Sequence, residues 1–264
     1  MKKIKLSDGT LINCISGLEA QMLESHIDGY LNNIVSINNG DIIIDIGANI
    51  GVFGLILSKM FNDLSIYSFE PIIDTYEVLK ANADLSKNKK FKAIHSGVSN
   101  KDENIDITYY PNSPAMSTSN PKMWDNNDDL TIALEGSLKN SPDSWWWAKF
   151  VPKFLYPYLL KKIRNKSKVI NCQLRPLSYF IDKYNLDKID LLKIDCEGNE
   201  LKVLEGINED NWSTIHQIIV EVHDIGGRLD CVQRILENKG FEYNIEKEVS
   251  LKETNLCNIF ACRK

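Results

Sequence analysis

The residues best suited to bind a ligand or to react lie in five short segments, each directly after an apolar run that predicts a β-strand. They are Asp45 to Gly51, Glu70-Pro71, His95-Ser96-Gly97, Asp195-Cys196-Glu197 and Glu221 to Asp224. In a doubly wound parallel sheet, ligands bind beyond the carboxyl ends of the strands, where the strand order reverses. We therefore expect all five segments to border one site.

The first of these segments is a glycine-rich turn. Three isoleucines precede Asp45, as is typical of a parallel strand buried on both faces, and an apolar helix pattern starts after Gly51. Glycines at such a strand-to-helix turn allow the backbone to approach a ligand closely. Asp45 can also cap a turn locally, but next to Gly47 we favour a ligand-binding role.

A carboxylate after the second strand indicates which ligand binds there. Glu70 lies 23 residues beyond Gly47, near the spacing at which such a carboxylate binds the hydroxyls of a cofactor ribose. A dinucleotide needs a second glycine for its pyrophosphate, and Asn49 stands in its place. S-adenosylmethionine has no phosphate, so the pattern favours it over NAD.

Lys193 interrupts an apolar strand, and a buried ammonium requires a partner. Glu221, on the predicted neighbouring strand, is the expected partner. A direct role of Lys193 as a catalytic base is the alternative.

His223 is the predicted catalytic base. Methyl transfer from a sulfonium to a neutral hydroxyl releases a proton, and imidazole titrates in the right range to accept it. Asp195 is expected to orient the substrate or the cofactor amine. Asp195 and Glu197 could instead bind a divalent cation, but without a further clustered carboxylate in the sequence nearby we predict no metal.

Strand and helix patterns alternate from residue 41 to residue 264, which predicts an α/β fold with a doubly wound, mostly parallel sheet. The last two strand patterns are close in sequence and predict an antiparallel C-terminal edge. Residues 1–40 form a separate region, with a hairpin turning at Asp8-Gly9 and one or two helices.

Residues 110–168 interrupt the alternation and predict an insertion that covers the substrate. They contain most of the prolines and four of the five tryptophans, and they are basic within an acidic chain. Trp145 and Trp146, with Glu197 and Glu221, are the predicted substrate contacts. The alternative is a surface segment that packs on its own core. Binding of residues 149–163 to a membrane surface is less favoured, because two prolines interrupt the amphipathic pattern.

The composition limits the partners. The 264 residues carry a net charge of −5, so nucleic acid is not an expected partner. There is no apolar run of signal-peptide or membrane-spanning length, which predicts a cytoplasmic protein without stable membrane insertion. The six cysteines form no CxxC pair and are expected to be reduced thiols.

Five motifs together resemble the FkbM family of S-adenosylmethionine-dependent methyltransferases. They are "DIIIDIGANIGVFG", "YSFEP", "HSGVSNKDE", "IDLLKIDCEGNELKVLEGI" and "IIVEVHD", within residues 17–110 and 169–224. The resemblance implies a class I methyltransferase (Rossmann-like) fold. It places the methionine-binding loop at Asp45, Gly47, Ala48, Asn49 and Gly51, the ribose at Glu70-Pro71, the adenine near Ser96 and Gly97, and the reacting groups near Asp195, Glu197 and His223.

The predicted function is O-methylation of a small-molecule or peptide natural product with S-adenosylmethionine as cofactor. A hydroxyl is the favoured acceptor. A carboxylate, such as a peptide C-terminus, is the alternative that a basic insertion would attract. An NAD-dependent oxidoreductase and a non-catalytic binding module are the other functions considered.

Overall fold

The computed structural model describes residues 1–31, 35–124, 127–139, 141, 143–247 and 254–263. The chain begins with strands β1 (Lys2–Lys5) and β2 (Leu11–Cys14), which pair antiparallel around the Asp8-Gly9 turn. Helix α1 (Gly17–Leu31) follows. Ile27 and Tyr30 of α1 are buried together with Phe53 and Phe260 of the main domain. The N-terminal region therefore shares one core with the rest of the protein.

A seven-stranded sheet forms the centre of the molecule. Its strands are β3 (Ile42–Ile46), β4 (Ser65–Phe69), β5 (Phe91–Ile94), β9 (Leu191–Ile194), β10 (Gln217–His223), β11 (Phe241–Glu246) and β12 (Leu256–Arg263). The spatial order is β11-β12-β10-β9-β3-β4-β5. The strand order thus reverses between β3 and β9, which is where such sheets bind ligands.

The sheet is mostly parallel, as predicted, with one difference at its C-terminal edge. Strand β12 runs antiparallel to both β10 and β11 and lies between them. The antiparallel strand is therefore one position inside the edge, and the edge strand β11 has the same direction as β10. Strand β12 occupies the position between β10 and β11, and its apolar residues are buried there.

Helices cover both faces of the sheet. One face packs against α1, α2 (Val52–Met60) and α3 (Ile73–Leu85), and the other against α6 (Leu177–Tyr184), α7 (Glu200–Glu205), α8 (Glu209–Trp212) and α9 (Arg228–Asn238). Among the described helices, none is both long enough and apolar enough to cross a bilayer.

A second, three-stranded sheet carries the insertion. Strands β6 (Gly97–Ser99), β7 (Glu103–Tyr109) and β8 (Lys168–Pro176) lie in the order β6-β8-β7. Tyr109 pairs directly with Lys168, so the insertion leaves and re-enters the fold at neighbouring points. It contains α4 (Asn127–Lys139), α5 (Tyr156–Arg164) and short 3-10 helices at Pro114–Met116, Pro121–Trp124, Asp143–Phe150 and Lys153–Leu155. Sequence reasoning missed this sheet, although Glu103–Tyr109 has the alternating burial of a strand.

Candidate active site

A cavity of about 280 Å³ opens at the carboxyl ends of the parallel strands. All five predicted segments contribute to its floor, through Gly47, Ala48, Asn49, Glu70, Pro71, Gly97, Asp195, Glu197, Glu221 and His223. Helix α1 contributes one wall, including His26 and Tyr30. The insertion contributes another wall, including Thr118 and Trp124.

The glycine-rich turn is shaped by tight backbone packing. Gly47 has φ 77°, and a Cβ there would lie 1.6 Å from the carbonyl oxygen of Asp195, so only glycine fits. The amides of Gly47 and Ala48 both donate to the carbonyl of Phe69. Asn49 is also left-handed, with φ 50°, and its Oδ1 accepts from the amide of Ile50 at 2.7 Å. The turn thus brings the ends of β3, β4 and β9 together.

Glu70 lies at the cavity with only a small exposed fraction. Its Oε1 accepts a hydrogen bond from the amide of Ile72 at 2.9 Å, and the backbone of Asn49 donates to the carboxylate as well. Burial has the largest effect on the pKa of Glu70 and raises it to about 8, although these two hydrogen bonds act to lower it. A buried carboxylate that titrates near neutral pH is suited to bind two hydroxyl donors, as a ribose presents.

Lys193 is paired with two aspartates, which corrects the predicted pairing with Glu221. Its Nζ lies 3.1 Å from Oδ2 of Asp195 and 3.3 Å from Oδ1 of Asp45. Burial alone would lower the pKa of Lys193, but the carboxylates of Asp195 and Asp45 hold it above its usual value. The register explains the difference: Lys193 is directly opposite Asp45 on β3, while its partner on β10 is Ile219.

Glu197, Glu221 and His223 converge where β9 and β10 end. Their ligand atoms all lie within 4.8 Å of one another, and Nε2 of His223 is 3.0 Å from Oε2 of Glu197. Both atoms are buried, and within the described residues neither makes a hydrogen bond of good geometry. Three such groups could hold a cation. The sequence did not show this cluster because Glu221 and His223 are on β10, the strand beside the one that precedes Glu197.

Burial sets the protonation of this cluster. It raises the pKa of Glu197 and of Glu221 well above the usual value, and the neighbouring carboxylate of Asp195 adds to both shifts. Burial lowers the pKa of His223 below 6.5. The imidazole is therefore neutral at pH 7 and can accept a proton.

The insertion contacts the cluster from the opposite side. The ring of Trp124 meets the imidazole of His223 edge-on, with centroids 5.8 Å apart. The hydroxyl of Thr118 donates to the carbonyl of Glu197 at 2.6 Å. Trp124 is fixed in turn, because its Nε1 donates to the carbonyl of Met116 and its carbonyl accepts from Arg164. Sequence reasoning did not single out Trp124 or Thr118.

Five of the predicted site residues do not line the cavity: Asp45, Gly51, Ser96, Trp145 and Trp146. Asp45 is fully buried beneath the cavity against Lys193. The Ser96 hydroxyl donates its proton to the carbonyl of Gly97 at 2.9 Å and is therefore not directed as a donor into the cavity. The Trp145 indole donates to Gln21 of α1, and Trp146 is 64% exposed. Trp124, and neither of these two tryptophans, lines the cavity.

Comparison with known proteins agrees with these features. The family profile described as "Methyltransferase FkbM domain" matches residues 45–243. "Methyltransferase sdnD" of Sordaria araneosa is 30% identical over 230 residues, which cover 86% of this chain and 84% of that protein. "31-O-demethyl-FK506 methyltransferase FkbM" of Streptomyces tacrolimicus is 28% identical over 267 residues, covering 100% of this chain and 97% of that protein.

Among solved structures, a precorrin-6y C5,15-methyltransferase from Geobacter metallireducens GS-15 aligns with 92% of this chain and 89% of its own, at 11% identity and a TM-score of 0.42. The family match decides against the NAD-dependent oxidoreductase and the non-catalytic module. The glycine turn, the buried carboxylate after β4 and the sheet order are consistent with the cofactor of that family. The chain is therefore an S-adenosylmethionine-dependent methyltransferase that belongs to the FkbM family.

Proposed function

We propose that this enzyme methylates a hydroxyl group of a small-molecule or peptide natural product and that His223 is the base. The observation that carries the proposal is the buried contact of 3.0 Å between Nε2 of His223 and Oε2 of Glu197 at the cavity wall. The acceptor oxygen gives its proton to the neutral imidazole, and Glu197, whose Oε2 lies 3.0 Å from Nε2, holds the ring in position. The bound cofactor supplies an electrophilic methyl group.

The charges around the cavity support a neutral acceptor. Burial disfavours the charged forms of Glu197 and Glu221 at the reacting end, and the carboxylate of Asp195 beside them would repel a carboxylate acceptor. Among the described residues of the insertion, none that lines the cavity is a lysine or an arginine. The basic charge of the insertion thus faces elsewhere. The name of the relative from Streptomyces tacrolimicus, which specifies a 31-O-demethyl substrate, also favours an oxygen acceptor.

The remaining site residues have assigned roles in this proposal. Glu70 binds the ribose, and the turn at Gly47, Ala48 and Asn49 holds the methionine part of the cofactor. Asp195 receives the cofactor ammonium while it accepts a hydrogen bond from Lys193. Asp45 acts through Lys193 and positions it. Ser96 keeps only the role of shaping the backbone beside Gly97, and no metal takes part.

Above pH 8, where Glu70 is charged, replacing it by Gln should raise the dissociation constant for S-adenosylmethionine by about 10- to 100-fold, because hydrogen bonds to a charged group are worth about 1.5–3 kcal/mol. Glutamine keeps the bond to the amide of Ile72, so the fold is preserved. Since the pKa of Glu70 is about 8, wild-type affinity should rise as pH increases through 8, and the variant should lack this rise. Titration calorimetry measures both, with Glu77→Gln on the exposed side of α3 as the matched control. Unchanged affinity would place the ribose elsewhere.

The insertion is proposed to be a cap, and its close attachment points make this testable. A short Gly/Ser linker in place of residues 112–165 can join β7 to β8, because Tyr109 and Lys168 are paired. The core should still unfold cooperatively and bind cofactor, while kcat/KM falls by about tenfold or more, which is at least ~1.4 kcal/mol of transition-state stabilisation. Thermal unfolding, calorimetry and turnover measure the three quantities. Loss of the cooperative transition would show that the insertion is part of the core.

A further inference from the structure

The second half of the insertion is a strongly basic segment in an acidic protein. From residue 144 to residue 168 the sequence has no aspartate or glutamate, while the whole chain has a net charge of −5. The rest of the molecule therefore carries a larger negative charge than the net charge of the whole chain. The cations of the segment are Lys149, Lys153, Lys161, Lys162, Arg164, Lys166 and Lys168.

The same segment exposes large aromatic side chains. The exposed fractions are 64% for Trp146, 49% for Trp147, 74% for Phe150, 79% for Phe154 and 66% for Tyr158. We call these five rings, with Lys161 and Lys162, the aromatic-basic surface; Lys153 nearby is paired with Glu135 at 2.9 Å. Exposed apolar residues elsewhere, such as Met60 and Val169, are far apart in sequence, whereas these rings occur within 13 residues. A concentration of exposed rings of this kind marks an interaction site.

The local structure keeps these rings outward. Tyr156 and Leu160 form the buried side of α5, while Tyr158, Lys161 and Lys162 are exposed. Pro157 lies in the first turn of α5, where proline is tolerated, and Pro152 precedes the helix. The two prolines that argued against an amphipathic element are thus at its boundary. Ala148, Tyr156 and Leu160 are buried and anchor the segment to the fold, while the five rings stay exposed to solvent.

We propose that the aromatic-basic surface binds peripherally to an anionic lipid bilayer. Tryptophan, phenylalanine and tyrosine enter the headgroup region, and the lysines contact anionic headgroups while their stems cover apolar surface. The charge of the remaining molecule is repelled by the same membrane, which orients the protein with this surface towards the lipid. No membrane-spanning segment is required.

Flotation of the full chain with vesicles tests this proposal. The protein should bind vesicles that contain phosphatidylglycerol much more strongly than vesicles of phosphatidylcholine alone, and salt should weaken the binding. Phe150→Ser with Phe154→Ser should lower the partition coefficient by about tenfold or more, because burial of even part of two rings is lost. Lys161→Glu with Lys162→Glu should lower it by about tenfold or more through lost attraction.

Matched control variants distinguish binding through the aromatic-basic surface from nonspecific binding to vesicles. Met60→Ser with Val169→Ser removes exposed apolar groups elsewhere, and Lys87→Glu with Lys89→Glu reverses charges elsewhere. Both should leave the partition coefficient unchanged, and all variants should keep the unfolding midpoint and the cofactor affinity of the wild type. Equal binding to neutral vesicles, equal loss in the controls or no binding at all would overturn the proposal. So would self-association that the aromatic variant abolishes, which would assign the surface to a second copy of the chain.

Discussion

The variant His223→Ala should lower kcat by roughly 10²- to 10⁴-fold while the affinity for S-adenosylmethionine stays nearly unchanged. The acceptor hydroxyl then has no positioned base, and this range is the usual contribution of general base catalysis. Steady-state kinetics with the identified acceptor, together with calorimetry for the cofactor, measure the two quantities. His216→Ala is the matched control, because His216 precedes the same strand at the end away from the cavity and its side chain is exposed. Its kcat should equal that of the wild type.

The pH profile gives an independent test of the same base. Burial lowers the pKa of His223, so the neutral imidazole persists at neutral pH and wild-type kcat should fall only at a pH below the ordinary titration range of imidazole. A carboxylate acceptor is already charged and needs no base, so the profile would then be flat and His223→Ala would keep most of its rate. That outcome would establish methyl ester formation.

A chelator decides between a base and a cation ligand at this position. Because Glu197, Glu221 and His223 could hold a cation, removal of divalent metals is a necessary control. The proposal expects an unchanged rate in excess EDTA. A rate that is lost in EDTA and restored by Mg²⁺ or Mn²⁺ would make His223 a ligand and would assign the acidification of the hydroxyl to the metal.

The sequence was sufficient for the sheet and for most of the cavity floor. Apolar strands that end in polar segments are local signals, and the carboxyl ends of parallel strands meet at one edge, so Glu70, Asp195, Glu197 and His223 were predicted together. The need for glycine at position 47 was predictable from the strand-to-helix turn. The structure adds the reason that no other residue fits, which is a left-handed φ and close contact with the Asp195 carbonyl.

The errors concern contacts between segments that are distant in sequence. Three tryptophans in a row suggested a substrate contact, but side-chain direction depends on the packing of the insertion against α1, which leaves Trp124 at the cavity. Strand register is similarly non-local: it places Asp45 of β3 directly opposite Lys193 on one side and Ile219 of β10, rather than Glu221, on the other. Neither the position of Trp124 nor this register has a signal in the sequence alone.

The buried ammonium of Lys193 should make a large contribution to the stability of the protein. Asp45 is fully buried, and its carboxylate and that of Asp195 share the single ammonium of Lys193. Removal of one partner from a buried ion pair typically costs about 3–5 kcal/mol, because the remaining charge has no counter-charge. Lys193→Met should therefore lower the free energy of unfolding by about that amount. At roughly 2–4 °C per kcal/mol for a domain of this size, the unfolding midpoint should drop by about 6–20 °C.

A second substitution shows whether the loss comes from the pair itself. Adding Asp45→Asn to Lys193→Met should restore part of the stability, because the amide carries no charge, while Asp195 is partly exposed and can be solvated. Lys92→Met, on the exposed side of β5, is the matched control and should change the free energy by less than about 0.5 kcal/mol. Denaturant unfolding of the four proteins measures these differences. If Lys193→Met were as stable as the wild type but inactive, Asp45 and Asp195 would not depend on the ammonium for their stability. Lys193 would then be a catalytic group rather than a structural one.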